Sequence, residues 1–316
     1  MDDRRERGAD RAGAAGGDSP WATLPTEARH PGSRGLDRMS AEAVVELLLD
    51  EDRRGLEIAR LHAHEIARAA EWLAETLAGG GDALILGAGT SGRLAVLEAA
   101  ECPPTFGTEP ERIRAAIAGG PEAVFRAHEG AEDREDDGAA VAAGLRSGDL
   151  LIAVSASSVT PYVRGALAAA RRRGARTVLL TCAAPESVSD TTDLVVALAT
   201  GPEILTGSTR LKAGSATKAA LNAITTVAMV ALGKVFENLM VDLRAGSAKL
   251  VDRARRIVAE AGGVPLDTAE RLLADAGGEA KTAIVMARLG LDAAPARERL
   301  ARAGGHLHRA LAGNAE

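Results

Sequence analysis

The sequence predicts an α/β protein. A parallel sheet of about five strands is covered by helices on both faces, and a small all-helical domain follows it. Two patterns carry this expectation. Five short, nearly all-apolar runs alternate with helical stretches between residues 83 and 198, as strands buried on both faces require. Beyond Lys249 the apolar spacing is helical, with no strand-like run. Of the 316 residues, 46% are hydrophobic but only 2% aromatic, so Ala, Leu and Val must fill the core.

In order along the chain, residues 1–38 are rich in Gly, Asp and Arg and are expected to be mostly disordered, with order beginning near Leu24-Pro25-Thr26-Glu27. Ser40 caps a helix over 41–49, and a second runs from about 51 to 77, ended by Gly79-Gly80-Gly81. Strands are expected at 83–86, 114–118, 150–155, 177–182 and 194–198. The helices between them include 93–101, stopped by Pro103-Pro104, then 121–128 and 161–173. A long helical region spans 209–239, and helices follow at 251–261, 267–276, 280–289 and 293–303, with a last turn near His306. The division is a segment 1–38, a sheet domain with N-terminal helices over 39–247, and a helical domain over 248–316.

Gly87-Ala88-Gly89-Thr90-Ser91-Gly92 joins the first strand to a helix. Such a turn is an anion site, because glycines let backbone N–H groups approach and the helix dipole adds positive charge. A phosphate is expected there, with the hydroxyls of Thr90 and Ser91 as further donors. The same six residues fit a dinucleotide fingerprint, which wants an acid at the end of the next strand. That strand ends in Ala118-Gly119-Gly120, so a sugar phosphate is the better reading. A second hydroxyl-rich turn, Ser155-Ala156-Ser157-Ser158-Val159-Thr160-Pro161, follows the third strand, with Thr160 at the N-cap and Pro161 at the first helical position. Two such turns in one parallel sheet point to a single ligand held between them. Thr206-Gly207-Ser208-Thr209-Arg210-Leu211-Lys212 opens the long helix as a third anion-binding turn.

Glu101 ends the helix that begins at the first turn, where the dipole disfavours a carboxylate and so suits a general acid. By spacing alone an ordinary solvated Glu is the better reading, and Glu98 competes one turn earlier. The acidic run Glu129-Gly130-Ala131-Glu132-Asp133 reads as a solvated loop or as a device aiming one carboxylate inward. Cys102 sits beside the site as a candidate nucleophile, and Cys182 reads as core; two cysteines are too few for a disulfide framework or a structural zinc site. The six histidines show no metal spacing, and no metal is expected. A net charge of −6 and the scarcity of aromatics argue against nucleic acid and anionic membrane as partners. With no signal-peptide run and no apolar stretch long enough to span a bilayer, a cytoplasmic protein is expected.

From about Thr26 to the end, the chain resembles the N-acetylmuramic acid 6-phosphate etherases, of the sugar isomerase (SIS) superfamily. The motifs are GAGTSGRLAVLEAAECPPTFG (87–107), IAGGPEAVFRAHEGAED (117–133), GPEILTGSTRLKAG (201–214) and ENLMVDLRA (237–245). The resemblance implies a three-layer αβα SIS domain, a homodimer, and no metal or redox cofactor. It also implies cleavage of the ether between D-lactate and C3 of the sugar during cell-wall recycling. The family's two catalytic glutamates fall on Glu101 and Glu132. The first would protonate the leaving oxygen and the second act at C2. The motifs imply a substrate-binding set of Gly89, Thr90, Ser91, Ser155, Ser157, Thr160, Glu203, Ser208 and Lys212. Where the family usually reads S-G-R-T-P-Y, this chain has Ser158 and Val159 in place of the glycine and arginine. His30 replaces the usual Asn of T-E-x-x-N-P, a segment expected to reach toward the site, and Gly246-Ser247-Ala248 replaces T-N-x. The related glucokinase regulatory protein shares the fold without the activity, so a sugar-phosphate-binding regulator is the alternative. A sugar-phosphate isomerase would use the same sheet but lacks the long motifs.

Overall fold

A computed structural model describes residues 24–188, 192–243 and 248–312. Its five-stranded sheet is made of β1 (Ala83–Gly87), β2 (Ile113–Ile117), β3 (Leu150–Ser155), β4 (Arg176–Thr181) and β5 (Leu194–Ala197). They are hydrogen-bonded in the order β2-β1-β3-β4-β5, and every pairing is parallel. Alternate residues of the central strands serve opposite faces. Ile85, Ile152 and Leu180 pack with α2 (Ala63–Ala78), α3 (Gly89–Phe106) and α6 (Lys212–Ala231). Leu84, Leu151 and Leu179 pack on the other face with α4 (Glu135–Ala142) and α5 (Pro161–Arg172). The result is three layers, with α1 (Ala41–Leu61) laid against α6 outside them. Gly55 makes that contact close: a Cβ there would lie 2.9 Å from Cγ of Lys212.

The last part of the chain has an apolar cluster of its own. It is formed by α7 (Ala248–Gly262), α8 (Leu266–Asp275), α9 (Ala280–Leu289), α10 (Ala293–Arg302) and α11 (Leu307–Leu311). Phe236, Val241 and Leu243 join it.

Several local expectations need correction. The break between the first two helices falls at His62, not near residue 50, because Glu51 is a buried, ion-paired helical residue rather than a boundary. Pro103 and Pro104 do not stop α3; the helix runs through both to Phe106 and ends where Gly107 adopts φ +63°. The stretch 121–128 is a single 3₁₀ turn, Pro121–Val124, held by Arg93, whose guanidinium donates to the carbonyls of Ala123 and Val124 at 2.8 Å. The helix in that crossover is instead α4, which starts at Glu135, just past the acidic run 129–133. The long helix stops at Ala231, and a two-stranded hairpin, β6 (Val235–Phe236) with β7 (Leu239–Met240), takes the rest. From Leu24, where order was expected to begin, residues 24–38 form three 3₁₀ turns with Thr26 and His30 buried. Residues 1–23, with Gly246 and Ser247, lie outside the described residues.

Candidate active site

In a parallel sheet ordered 2-1-3-4-5, the chain leaves β1 in one direction and β3 in the other, which opens a crevice at their carboxyl ends. The two hydroxyl-rich turns lie there. A cavity of about 580 Å³ is lined by Ala88 and Ser91 after β1, by residues 154–157 and 159–161 at the end of β3, and by Glu132 and Asp133 after β2. Leu24, Thr26, Glu27, Gly207 and Thr209 complete it.

Two helix N-termini meet this crevice. Neither α3 nor α5 has a side-chain cap. Thr160 stands at the N-cap of α5 as expected, yet its hydroxyl does not cap; it pairs with Ser155 Oγ at 2.9 Å. Uncapped N-termini leave backbone N–H groups and dipole charge free for an anion. Gly92 lets α3 pack down on the sheet, since a Cβ would fall 2.5 Å from Cγ1 of Ile117. The third turn behaves differently. Glu203, buried, accepts from the backbone N–H of Ala213 at 2.8 Å and of Lys212 at 3.2 Å. The N-terminus of α6 is therefore already filled by a carboxylate of the chain itself. Burial pushes the pKa of Glu203 up despite those donors.

The site residues expected from sequence thus divide. Ser91, Glu132, Ser155, Ser157 and Thr160 line the cavity. Gly89 lines an adjoining cleft of about 170 Å³ that shares Glu132. The methyl of Thr90 faces Gly214 of α6. Ser208 stands between two lining residues without lining the cavity itself. Glu203 and Lys212 do not line the cavity. Lys212 is buried, and its ammonium donates to Glu51 Oε2 at 2.6 Å and to the carbonyl of Pro202 at 2.8 Å. An ion pair inside the protein takes the cation that was expected to hold phosphate.

The loop after β2 carries Glu132. Gly119 and Gly120 turn the chain with φ +86° and +76°, the 3₁₀ turn clamped by Arg93 follows, and a second one, Ala131–Asp133, presents Glu132 at the cavity wall. Glu101 lies elsewhere. It is exposed near the C-terminal end of α3, twelve residues beyond Gly89, or about 18 Å along the axis. Glu98 does not compete as a cavity acid. It is buried between α3 and α6, accepting from Thr225 Oγ1, and burial raises its pKa, with the Glu101 charge adding to the shift. Cys102 is buried as well, its thiol pushed up to about 12 chiefly by burial, so it is no nucleophile.

Val159 lines the cavity where the family's arginine would stand, and no Lys, Arg or His lines it among the described residues. Ser158, in place of the glycine, adopts the left-handed conformation, at φ +65°. His30 is buried, with Nδ1 accepting from the Gly32 N–H at 3.2 Å and Nε2 at 3.4 Å from Glu51 Oε1. Leu24, Thr26, Glu27 and Thr209 line the cavity although they stand outside the expected substrate-binding set; the T-E-x-x-N-P segment and the third turn were the available signals. Among the described residues no group of side chains could hold a metal ion, and no helix is long and apolar enough to cross a membrane.

Residues 65–171 match the glucokinase regulatory protein N-terminal SIS domain, and residues 126–227 match the SIS domain. The N-acetylmuramic acid 6-phosphate etherase of Mycolicibacterium smegmatis is 46% identical over 292 residues, covering 92% of this chain and 98% of that protein. Its counterpart in Rubrobacter xylanophilus is 48% identical over 286 residues, covering 90% and 95%. Among solved structures, that of phosphoheptose isomerase GmhA from Neisseria gonorrhoeae covers 59% of this chain and 95% of its own, at 19% identity and a TM-score of 0.41. Near-complete coverage at this identity places the chain in the N-acetylmuramic acid 6-phosphate etherase family.

Proposed function

We propose that this protein cleaves the D-lactyl ether of N-acetylmuramic acid 6-phosphate, releasing N-acetylglucosamine 6-phosphate and D-lactate, as a cytoplasmic step in recycling peptidoglycan amino sugars. The observation that carries the proposal is the Glu132 carboxylate in the wall of a cavity served by two uncapped helix N-termini. Backbone N–H groups with Ser91, Ser155, Ser157 and Thr160 bind the phosphorylated sugar. With the ring open, the C2 proton lies beside an aldehyde and passes to a base, the role of Glu132. The electron pair left at C2 forms the C2–C3 double bond as the C3–O bond breaks. The departing lactyl oxygen takes a proton from an acid, because an alkoxide leaves poorly. Water then adds at C3. Every step is a proton transfer, an elimination or an addition, with no net oxidation or reduction, so no redox cofactor enters.

Glu101 is the proposed acid, and its position has a consequence for assembly. About 18 Å of helix separates it from the N-terminal turn of α3, so one chain does not pair it with its own Glu132. The mechanism therefore needs a homodimer in which α3 of one copy delivers Glu101 to the cavity of the other. Leu97, one turn before Glu101, is exposed, as are Val227 and Val230 of α6, which fits a face that another copy covers.

The test is D-lactate release from N-acetylmuramic acid 6-phosphate by wild type, Glu101→Gln and Glu132→Gln. Wild type is expected to release lactate and each variant to lose at least about 100-fold. Mixing the two variants at equal amounts, with subunit exchange, should restore about a quarter of wild-type activity. Half the dimers are then mixed, and each of these has one intact site. No release by folded wild type refutes the activity, and no restoration refutes the shared site.

A further inference from the structure

The segment before α1 is tied into the protein by contacts that the proposed reaction does not use. Thr26 is 1% exposed and lines the substrate cavity, yet its Oγ1 is buried with no hydrogen-bond partner. A buried hydroxyl without a partner is unfavourable unless a bound group supplies the missing hydrogen bond. Beside it, Glu27 also lines the cavity and packs against Gly207, where a Cβ would come 2.9 Å from its Oε2. Three residues on, His30 anchors the segment in two ways. Its Nδ1 caps the 3₁₀ turn Pro31–Ser33 by accepting from the Gly32 N–H, and its Nε2 meets Glu51 of α1 at 3.4 Å. Glu51 is held in turn by Lys212 at the start of α6 and by Arg54 one turn along α1. The segment is thus latched to the ion pair that joins α1 to α6.

On the basis of the proposed activity, we propose that residues 24–30 form a substrate-binding strap, in which Thr26 hydrogen-bonds a polar group of the sugar phosphate and His30 is the positioning residue that latches the strap to Glu51. A hydroxyl can donate or accept, and rotation about χ1 exchanges it with the methyl group, so it can meet a sugar hydroxyl, an acetamido group or a phosphate oxygen. The exchange of Asn for His at position 30 also becomes intelligible. Asn offers the capping acceptor for the Gly32 N–H, whereas His offers the same acceptor and a second nitrogen toward Glu51.

Steady-state lactate release and thermal unfolding, each with N-acetylmuramic acid 6-phosphate, test the strap together. Thr26→Val keeps the β-branched shape and removes only the hydroxyl. It is expected to raise KM about tenfold with kcat within about twofold, and to leave the melting midpoint of the unliganded protein unchanged or higher. His30→Ala should raise KM similarly, and His30→Asn should restore it to within about threefold of wild type. A wild-type KM in Thr26→Val, or a lowered midpoint without ligand, would make Thr26 a structural residue and overturn the strap. Failure of His30→Asn to rescue a defective His30→Ala would overturn the latch. If wild type releases no lactate, the proposed activity fails separately. The strap is then read from the ligand-induced rise in melting midpoint, which Thr26→Val must diminish. No rise in wild type overturns the strap as well.

Discussion

Replacing Lys212 by Met separates two roles that the sequence alone could not distinguish. In a phosphate-binding turn, loss of the cation would weaken substrate binding and leave the fold intact. In this structure the ammonium is buried 2.6 Å from Glu51 Oε2, and its remaining bond goes to a backbone carbonyl. Removing one partner of a buried pair leaves the other charge uncompensated, at about 3–5 kcal/mol. His30 and the more exposed Arg54 still face Glu51, so the lower end of that range applies, about 3 kcal/mol. With a urea slope near 3 kcal/mol/M, the unfolding midpoint should fall by about 1 M. Adding Glu51→Gln to Lys212→Met should recover a large part of the loss, because the stranded charge is gone. The effect also has a pH signature. Burial pushes the Glu51 carboxyl up, but Lys212, His30 and Arg54 outweigh it and hold its pKa below the ordinary value. A depressed folded pKa gives stability that is present above the unfolded value of about 4.3 and is lost as pH falls through the folded one. The gap between wild type and variant should therefore narrow on acidification. An unchanged urea midpoint with a raised KM would refute this account and return Lys212 to the substrate.

Three further outcomes are expected. Ser158→Gly should stabilise the protein by about 0.5–1 kcal/mol in urea unfolding, because the φ of +65° is strained for Ser and the gain exceeds the added freedom of the unfolded chain; a loss of stability would show that the strain is not there. Cys102 should resist iodoacetamide in the native protein and react only on unfolding, given its burial and a thiol pKa near 12; rapid native labelling would contradict the packing. Val159→Arg places a guanidinium in a cavity wall that has no cation among the described residues, and KM for the sugar phosphate should fall about fivefold with a new dependence on salt; an unchanged KM would mean that the wall at 159 does not face the phosphate.

Much of this protein was written in its sequence, and the rest was not, for identifiable reasons. The five strands stand where their apolar runs placed them, to within a residue at each end, because a strand buried on both faces has to be apolar along its length. The first two turns, Gly87–Gly92 and Ser155–Thr160, were legible because glycine and hydroxyl residues between a strand and a helix have few other uses; their meeting in one cavity followed from the strand order. Helix ends were misread where tertiary contacts override local signals. Glu51 continues α1 because Lys212 neutralises it, and α3 runs past two prolines to Gly107. The partners of the third turn were not legible for the same reason. Its sequence offers a cation and N–H groups to any anion, and only the folded chain shows that Glu203 and Glu51 already occupy them. Sequence fixes which groups exist and how local geometry groups them. Which partner each group meets is decided by packing, because residues as far apart as 51 and 212 compete with the ligand for the same charge.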